Sequence, residues 1–329
     1  MTGRALILGN GQIGRATAIA LRAAGWQVDL LGRTSPIGGG AFDRRDSASL
    51  AAAIGPGADL LIDSIGFTAA DAMLLGPLAL DIGHLVVISS AGVYADARGA
   101  SLETARTIGF PRFGGPVRET HPTVPPSTAD GASYAAAKVA MEQQLLGHMA
   151  CPVAVLRPCA VHGAGSRGPR EWWFVKRLLD GRAAIRLAHA GKSQFHSTAA
   201  AAIAAFVVTL AARRVPGIFN IADPQALSVA DIGAIIAAHM GSAVAFIAMP
   251  GAPVGHIGRT PWSVPHPFVL DCSRALAAGH VAPGDYASTV VPTIDWLVAT
   301  AGDGDWQQRF PALAGYGYDQ FDYAAEDAA

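Results

Sequence analysis

From Ala5 to Leu156, short apolar runs alternate with stretches of helical periodicity, and nothing else in the sequence restricts the fold as much. The runs Ala5–Leu8, Gln27–Leu31, Asp59–Asp63, Leu85–Ser89 and Val153–Leu156 are predicted as strands. Between them, residues 12–24, 47–54, 68–82 and 133–149 are predicted as helices. Strand–helix alternation of this kind implies βαβ units with right-handed crossovers and a parallel sheet. The strands are continuous apolar runs without in–out alternation, as helices covering both faces of the sheet require. The predicted class is α/β, a doubly wound parallel sheet. After Pro158 the rhythm loosens. Helices are expected near 171–179, 199–211 and 229–240, a strand at 218–221, and a Pro/Gly-rich loop at 250–267. Residues 1–160 therefore read as one domain, to which later segments return. Residues 161–329 read mainly as a smaller α+β lobe.

The chain has 329 residues, 51% hydrophobic and 15% charged, so it can bury a large core and is not a disordered chain. A net charge of −1 offers no electrostatic case for nucleic acid or for an anionic membrane surface. The longest apolar stretch, from Thr198 to Ala212, falls short of the roughly 20 residues that span a bilayer. Cys151, Cys159 and Cys272 are too few and too unpatterned for a disulfide framework or a zinc site. The ten histidines form no metal-binding spacing, so no metal is expected. No G-x-S-x-G occurs, which leaves a serine hydrolase unsupported. A strand beginning almost at the first residue argues against a signal peptide, and the expected compartment is the cytoplasm.

Gly9-Asn10-Gly11-Gln12-Ile13-Gly14 stands directly after the first strand and opens the first helix. In that context glycines allow a tight turn and close approach to a pyrophosphate, and the helix N-terminus supplies oriented N–H donors. This is the sequence of a Rossmann dinucleotide site. The second strand ends in Leu31-Gly32-Arg33. An acidic residue there would suit the ribose 2′-hydroxyl of NAD, whereas Arg33 suits the 2′-phosphate of NADP, so NADP is the expected cofactor and NAD the alternative. Asp43-Arg44-Arg45-Asp46 follows and is placed beside the adenine.

Tyr134 and Lys138 are an i, i+4 pair on one helix face. A nearby ammonium favours phenolate, so Lys138 is expected to lower the Tyr134 pKa and make it a usable acid/base. With six Tyr and three Lys in the chain, about 0.05 such pairs are expected by chance at this spacing. Ser89 and Ser90 end a buried strand at its carboxyl end, where open α/β sheets bind ligands, and a hydroxyl there can hold a carbonyl or alkoxide.

With these residues the chain resembles the extended short-chain dehydrogenases/reductases of the NAD-dependent epimerase/dehydratase family. Besides the glycines, the resemblance rests on several stretches. They are Ser90-Ala91-Gly92-Val93-Tyr94, Glu119-Thr120-His121-Pro122, Tyr134-x-x-x-Lys138-x-x-x-Glu142, Leu156-Arg157-Pro158, Val161-His162-Gly163, Phe219-Asn220-Ile221 and Asp271-Cys272-Ser273-Arg274. It covers nearly the whole chain. It implies Ser90, Tyr134 and Lys138 as the catalytic triad, Pro158 beside the nicotinamide, and a substrate lobe in the C-terminal half. The cofactor candidates are Gly9, Asn10, Gly11, Gln12, Ile13, Gly14, Arg33, Asp43, Arg44, Gly66, Lys138 and Pro158. Tyr94, His162, Arg170 and Trp173 are the substrate candidates, although two adjacent aromatics opening a helix also suit plain packing.

Departures from the family bear on substrate. The glycine spacing is one residue short. Ala160 stands where the family's nucleotide-sugar epimerases carry Asn, and the stretch 191–202 lacks their Arg and Asp. A diphosphate needs cationic or N–H partners, so these losses speak against a nucleotide sugar. The expected activity is NAD(P)-dependent hydride transfer at a secondary alcohol or ketone on a small-molecule substrate, in a homodimer. Alternatives are a nucleotide-sugar epimerase or dehydratase and a non-catalytic dinucleotide-binding regulator. Residues 91–130, rich in Pro and Gly, are expected to form a mobile flap.

Overall fold

The computed structural model describes residues 3–37, 40–302 and 304–328. The chain forms two compact units. The first comprises Met1–Cys159, Ala200–Ala222 and Leu270–Pro283, and the second Ala160–Ala199, Asp223–Val269 and Gly284–Ala329. In chain order the first unit contains β1 (Arg4–Leu8), α1 (Gln12–Ala23), β2 (Gln27–Leu31), β3 (Pro36–Ile37), β4 (Gly40–Ala41), α2 (Ser47–Ile54), β5 (Leu60–Asp63), α3 (Ala69–Met73), β6 (Leu85–Ile88), α4 (Tyr134–His148) and β7 (Val153–Pro158). Then β8 (Ala160–His162), α5 (Trp172–Leu179), β9 (Ala184–Leu187) and β10 (Ser197–Ala199) lie in the second unit. The helix α6 (Ala200–Arg213) and the strand β11 (Gly217–Ile221) return to the first, and α7 (Val229–His239) and β12 (Ala245–Ala248) to the second.

The first unit is a doubly wound Rossmann-type layer structure. Its six-stranded sheet has the order β11-β7-β6-β5-β1-β2, and every pair is parallel. The order reverses at β1, which pairs with β2 on one side and β5 on the other, so the carboxyl ends of these strands flank the switch point where such sheets take ligands. The strands β1, β5 and β6 are almost wholly buried. Leu6, Leu8, Leu61, Leu85, Val87 and Val155 pack with Leu50, Ile54, Met141 and Leu145 in one core. Local chemistry sets the helix starts. Asp46 caps α2 by accepting from Ser49 N, and Ser133 caps α4 by accepting from Ala136 N. The helix expected over 68–82 is broken. Thr68 and Asp71 form a capping box for α3, which ends at Met73, and a 3₁₀ turn over Gly76–Asp81 follows. Pro77 lacks the N–H that would continue an α-helix, which accounts for the break.

In the second unit β8 pairs with β10 and β9 with β12, each pair parallel. These strands of three or four residues escaped the sequence reading because so short a run carries no periodicity. Among the described residues no helix is long and apolar enough to cross a membrane.

The expectation of a flap over 91–130 is corrected. Val93, Tyr94, Ala95, Ala100, Ser101 and Val117 in this segment are buried. Asp96, also buried, accepts from the backbone N–H of Arg98 at 2.8 Å, Arg112 at 2.9 Å and Ala100 at 3.0 Å. Glu119 accepts from Asn220 N at 2.7 Å, and Asn220 Nδ2 donates to Val117 O at 2.8 Å. The segment is stitched into the unit at these points, where three of its backbone N–H groups converge on the Asp96 carboxylate. Burial pushes the Asp96 carboxyl up, but the N–H donors of Arg112, Arg98 and Ala100 together with the Arg98 guanidinium outweigh it and hold it well below the usual range. A carboxyl depressed on folding contributes stability above its unfolded pKa of about 3.9, and loses it as pH falls below that. Asp96→Asn should therefore lower the urea midpoint at pH 7, and the gap from the native protein should narrow progressively below about pH 4. An equal gap at both pH values would show that charge is not what the loop uses.

Candidate functional site

The site begins at the turn after β1. Gly9 has φ of +113°, and a side chain on it would meet Ser64 Oγ at 2.2 Å. A Cβ on Gly14 would lie 1.9 Å from the carbonyl oxygen of Gly9, so helix and turn close on each other only with glycine there. Gly11, the N-cap of α1, is different: a Cβ there meets nothing within 4 Å. Two glycines thus shape the turn, and the third leaves open space in front of the first helical N–H groups. That combination is a cradle for an anionic group. Asn10 accepts from Arg15 Nε at 3.0 Å, which draws Arg15 to the same turn.

Beside it lies a pocket of about 400 Å³ lined by Arg33, Phe42, Asp43, Arg44, Arg45, Ile65, Phe67 and Asp71. Arg33, Asp43 and Arg45 are exposed at its rim. Arg44 is buried and paired with Asp63 at 2.6 Å, yet among the described residues its Nη1 has no hydrogen-bond partner. A buried donor left unmatched costs free energy, so the Arg44 head is a place where an acceptor would be stabilised. Phe67 joins the pocket to the catalytic candidates. Its ring meets Tyr134 edge-on at 5.8 Å between centroids, and the Lys138 ammonium stands 4.5 Å above its face.

Ser90, Tyr134 and Lys138 come from the loop after β6 and from one face of α4. Ser90 Oγ accepts from Gly92 N at 3.0 Å, and its hydroxyl lies near enough to the Tyr134 phenol to lower that phenol's pKa. Lys138 is 2% exposed and donates to Gly66 O at 2.6 Å and Ile88 O at 2.8 Å. The expectation that Lys138 lowers the Tyr134 pKa is corrected. The ammonium is held by two backbone carbonyls, 5.8 Å from the centre of the phenol ring. Tyr134 is 46% exposed, and partial burial of its side chain lifts its pKa above the ordinary value. The Ser90 hydroxyl opposes the rise, and the Glu103 carboxylate adds to it. Glu103 also accepts from Ala135 N at 2.9 Å, which anchors the segment 91–130 to the first turn of α4. Burial pushes Lys138 down to about 8, against Asp63, Glu142 and Asp71, which support the cation.

A buried polar network lies beneath these groups. Ser89 Oγ donates to Glu142 at 2.5 Å, and Glu142 also holds Arg157 in a buried ion pair. The Arg157 guanidinium sits 4.8 Å over the Tyr94 ring, and Tyr94 Oη donates to Asn220 Oδ1 at 2.6 Å. Tyr94 is wholly buried in this network, so its expected role toward substrate is corrected to a structural one.

Two other substrate candidates, both in the second unit, are corrected in the same way. His162 is buried, hydrogen-bonded through Nε2 to Asp223 at 3.0 Å, with its ring 4.9 Å from that of Tyr286. Trp173 is buried in the core with the Arg177 guanidinium stacked 3.5 Å from its ring centre. Arg170 is half-buried against Phe195. Pro158 ends β7 and is buried. Sequence reasoning missed Phe67, Asp63 and Glu103. Only Asp63 had a signal, a carboxylate closing the otherwise apolar run Leu60-Leu61-Ile62. Among the described residues no cluster of His, Cys, Asp and Glu could hold a metal ion.

The sequence matches no known family profile and no curated protein. Solved structures share its fold. UDP-glucose 4-epimerase from Thermus thermophilus, in complex with NAD, is 18% identical with a TM-score of 0.64, covering 90% of this chain and 99% of its own. WbmG from Bordetella bronchiseptica, in complex with NAD, is 17% identical with a TM-score of 0.66, over 91% and 95% of the two chains. RMD from Pseudomonas aeruginosa, complexed with NADPH, is 18% identical with a TM-score of 0.65, over 91% and 99%. The fold expected from the sequence resemblance is the one these enzymes have.

The glycine turn makes a contrast that thermal melts can read. Gly14→Ala forces a methyl against a backbone carbonyl and should cost about 1–3 kcal/mol, visible as a Tm several degrees lower. Gly11→Ala, whose methyl meets open space, should melt within about one degree of the native protein. Equal losses at the two positions would contradict the packing described.

Proposed function

We propose that the protein is a nicotinamide-dinucleotide-dependent oxidoreductase of the NAD-dependent epimerase/dehydratase family, acting at a secondary alcohol or ketone through Ser90, Tyr134 and Lys138. One observation carries this reading. Ser90, Tyr134 and the Lys138 ammonium come together beside a turn whose open glycine stands at a helix N-terminus, all at the carboxyl ends of one parallel sheet. The cradle at Gly11 and α1 fits a pyrophosphate, and the neighbouring pocket lined by Arg33, Asp43, Arg44 and Phe67 fits an adenosine. When bound, a nicotinamide dinucleotide supplies the hydride chemistry.

Tyr134 exchanges a proton with the substrate oxygen, and Ser90 orients that oxygen. Lys138 supplies positive charge near the phenol and a donor for the cofactor's ribose. A phenol held above its ordinary pKa stays protonated near neutral pH, which suits it to act as the acid in carbonyl reduction. Arg33, with Arg45 beside it, selects NADP through the 2′-phosphate. The reading includes a homodimer in the reducing cytoplasm.

A nucleotide-sugar epimerase is the second reading, favoured by the epimerases that share this fold. Ala160 and the uncharged stretch from Ser193 to Ala202 weigh against it. Calorimetric titration with UDP- and GDP-sugars decides between them, since micromolar affinity for any would reverse the ranking.

Arg33→Ala should weaken NADP⁺ by roughly 1.5–3 kcal/mol, the worth of a hydrogen bond to a charged group, and leave NAD⁺ nearly unchanged. Fluorescence titration with both cofactors reads it, and equal loss for the two would overturn the assignment. Tyr134→Phe should fold and bind cofactor as before while turnover on any ketone found by screening drops by about 10²–10⁴. Near-native turnover would exclude Tyr134 as the acid/base.

A further inference from the structure

We propose that the buried Arg44–Asp63 ion pair is the positioning device of Lys138, fixing where its ammonium stands and keeping it a cation. The proposal rests on the reading above in giving Lys138 a catalytic task, but its own evidence is the geometry of the loop after β5. Asp63 closes an apolar strand, and its side chain is 2% exposed. Its two oxygens divide their work. Oδ2 accepts from Arg44 Nε at 3.0 Å and Nη2 at 2.6 Å. Oδ1 accepts from the backbone N–H of Ile65 at 3.1 Å and of Gly66 at 2.8 Å. The carboxylate thus folds the loop back on the strand end and holds the Gly66 peptide. The carbonyl of that same residue receives the Lys138 ammonium at 2.6 Å, and the second acceptor, Ile88 O, ends the neighbouring strand. The lysine head is placed by two strand ends, one of which depends on Asp63 for its shape.

Charge points the same way. The groups facing Lys138 are Asp63 from β5, Asp71 from α3, Arg44 from the segment before α2, and Glu142 and Tyr134 from α4 itself. Among the described residues the hydrogen bonds of the ammonium go to neutral carbonyls rather than to a carboxylate. Asp63 leads the groups that hold it positive, and Arg44 works against it. A pair of well-packed apolar residues would serve stability as well as this ion pair does, since desolvation offsets much of the attraction. An ion pair in this place acts on Lys138 as apolar residues cannot.

The chain has only three lysines, Lys138, Lys176 and Lys192, so ¹³Cε-lysine NMR reads Lys138 directly, with Lys176→Arg and Lys192→Arg for assignment. In the native protein Lys138 should titrate near pH 8, as its burial dictates. Asp63→Asn should move that midpoint down by about half a pH unit or more, and Arg44→Met should move it up. Opposite signs distinguish electrostatic positioning from general loosening, which would move both variants toward the solvent value. Either single variant leaves an uncompensated buried charge and can fail to fold. The double variant Arg44→Met, Asp63→Asn leaves none, and its midpoint should lie below the native one, because Asp63 is the stronger influence. A folded double variant whose midpoint matches the native protein's would overturn the inference, as would shifts of the same sign in both single variants. Such a result would leave the Tyr134→Phe assay untouched, and loss of the oxidoreductase reading would leave this titration standing.

Discussion

Every strand of the first unit's sheet runs the same way, and the placing of its chemistry follows from that constraint. A parallel sheet covered on both faces leaves little room for polar side chains along its inner strands, so polar groups collect toward the strand ends. At the carboxyl ends stand Gly9 after β1, Arg33 after β2, Asp63 on β5, Ser89 and Ser90 after β6 and Pro158 on β7. The reversal of strand order at β1 opens this row of ends to a ligand. Register keeps them level, with Leu8 opposite both Leu31 and Asp63.

Charge inside such a structure survives only in closed arrangements. Glu142 takes both Ser89 and Arg157, and Arg157 covers Tyr94, which in turn bonds Asn220. Asp63 likewise divides its oxygens between Arg44 and two peptide N–H groups. Removing one member of such a pair leaves the other uncompensated, at a typical cost of about 3–5 kcal/mol. These networks run under the strand ends that carry Ser90 and hold Lys138. They make the ends rigid, and a rigid end is what orienting a small reactive group requires.

The residues that could be read in advance share a property: their role depends on neighbours close in sequence. The glycine turn and the Tyr134–Lys138 spacing are of this kind. Those misread depend on neighbours far away. Tyr94 looked like a substrate contact because it follows Ser90, and it is buried because Asn220 and Arg157 reach it. His162 looked like a substrate contact and is held by Asp223, and Trp173 is covered by Arg177. The segment 91–130 looked mobile from its Pro and Gly content, since nothing local shows that Asp96 would gather three backbone donors.

The sequence by itself determined the alternation of strand and helix, the parallel sheet with ligand-facing strand ends, and which residue types stand at those ends. Periodicity and turn chemistry are local, and local preferences need no partner. Only the tertiary structure decided the state of those residues. It lifted the Tyr134 pKa by partial burial, turned the Lys138 ammonium to the carbonyls of Gly66 and Ile88, and buried Arg44 against Asp63. Charge state and hydrogen-bond partners depend on dielectric and distance, and both are set by segments that meet only when the chain has folded.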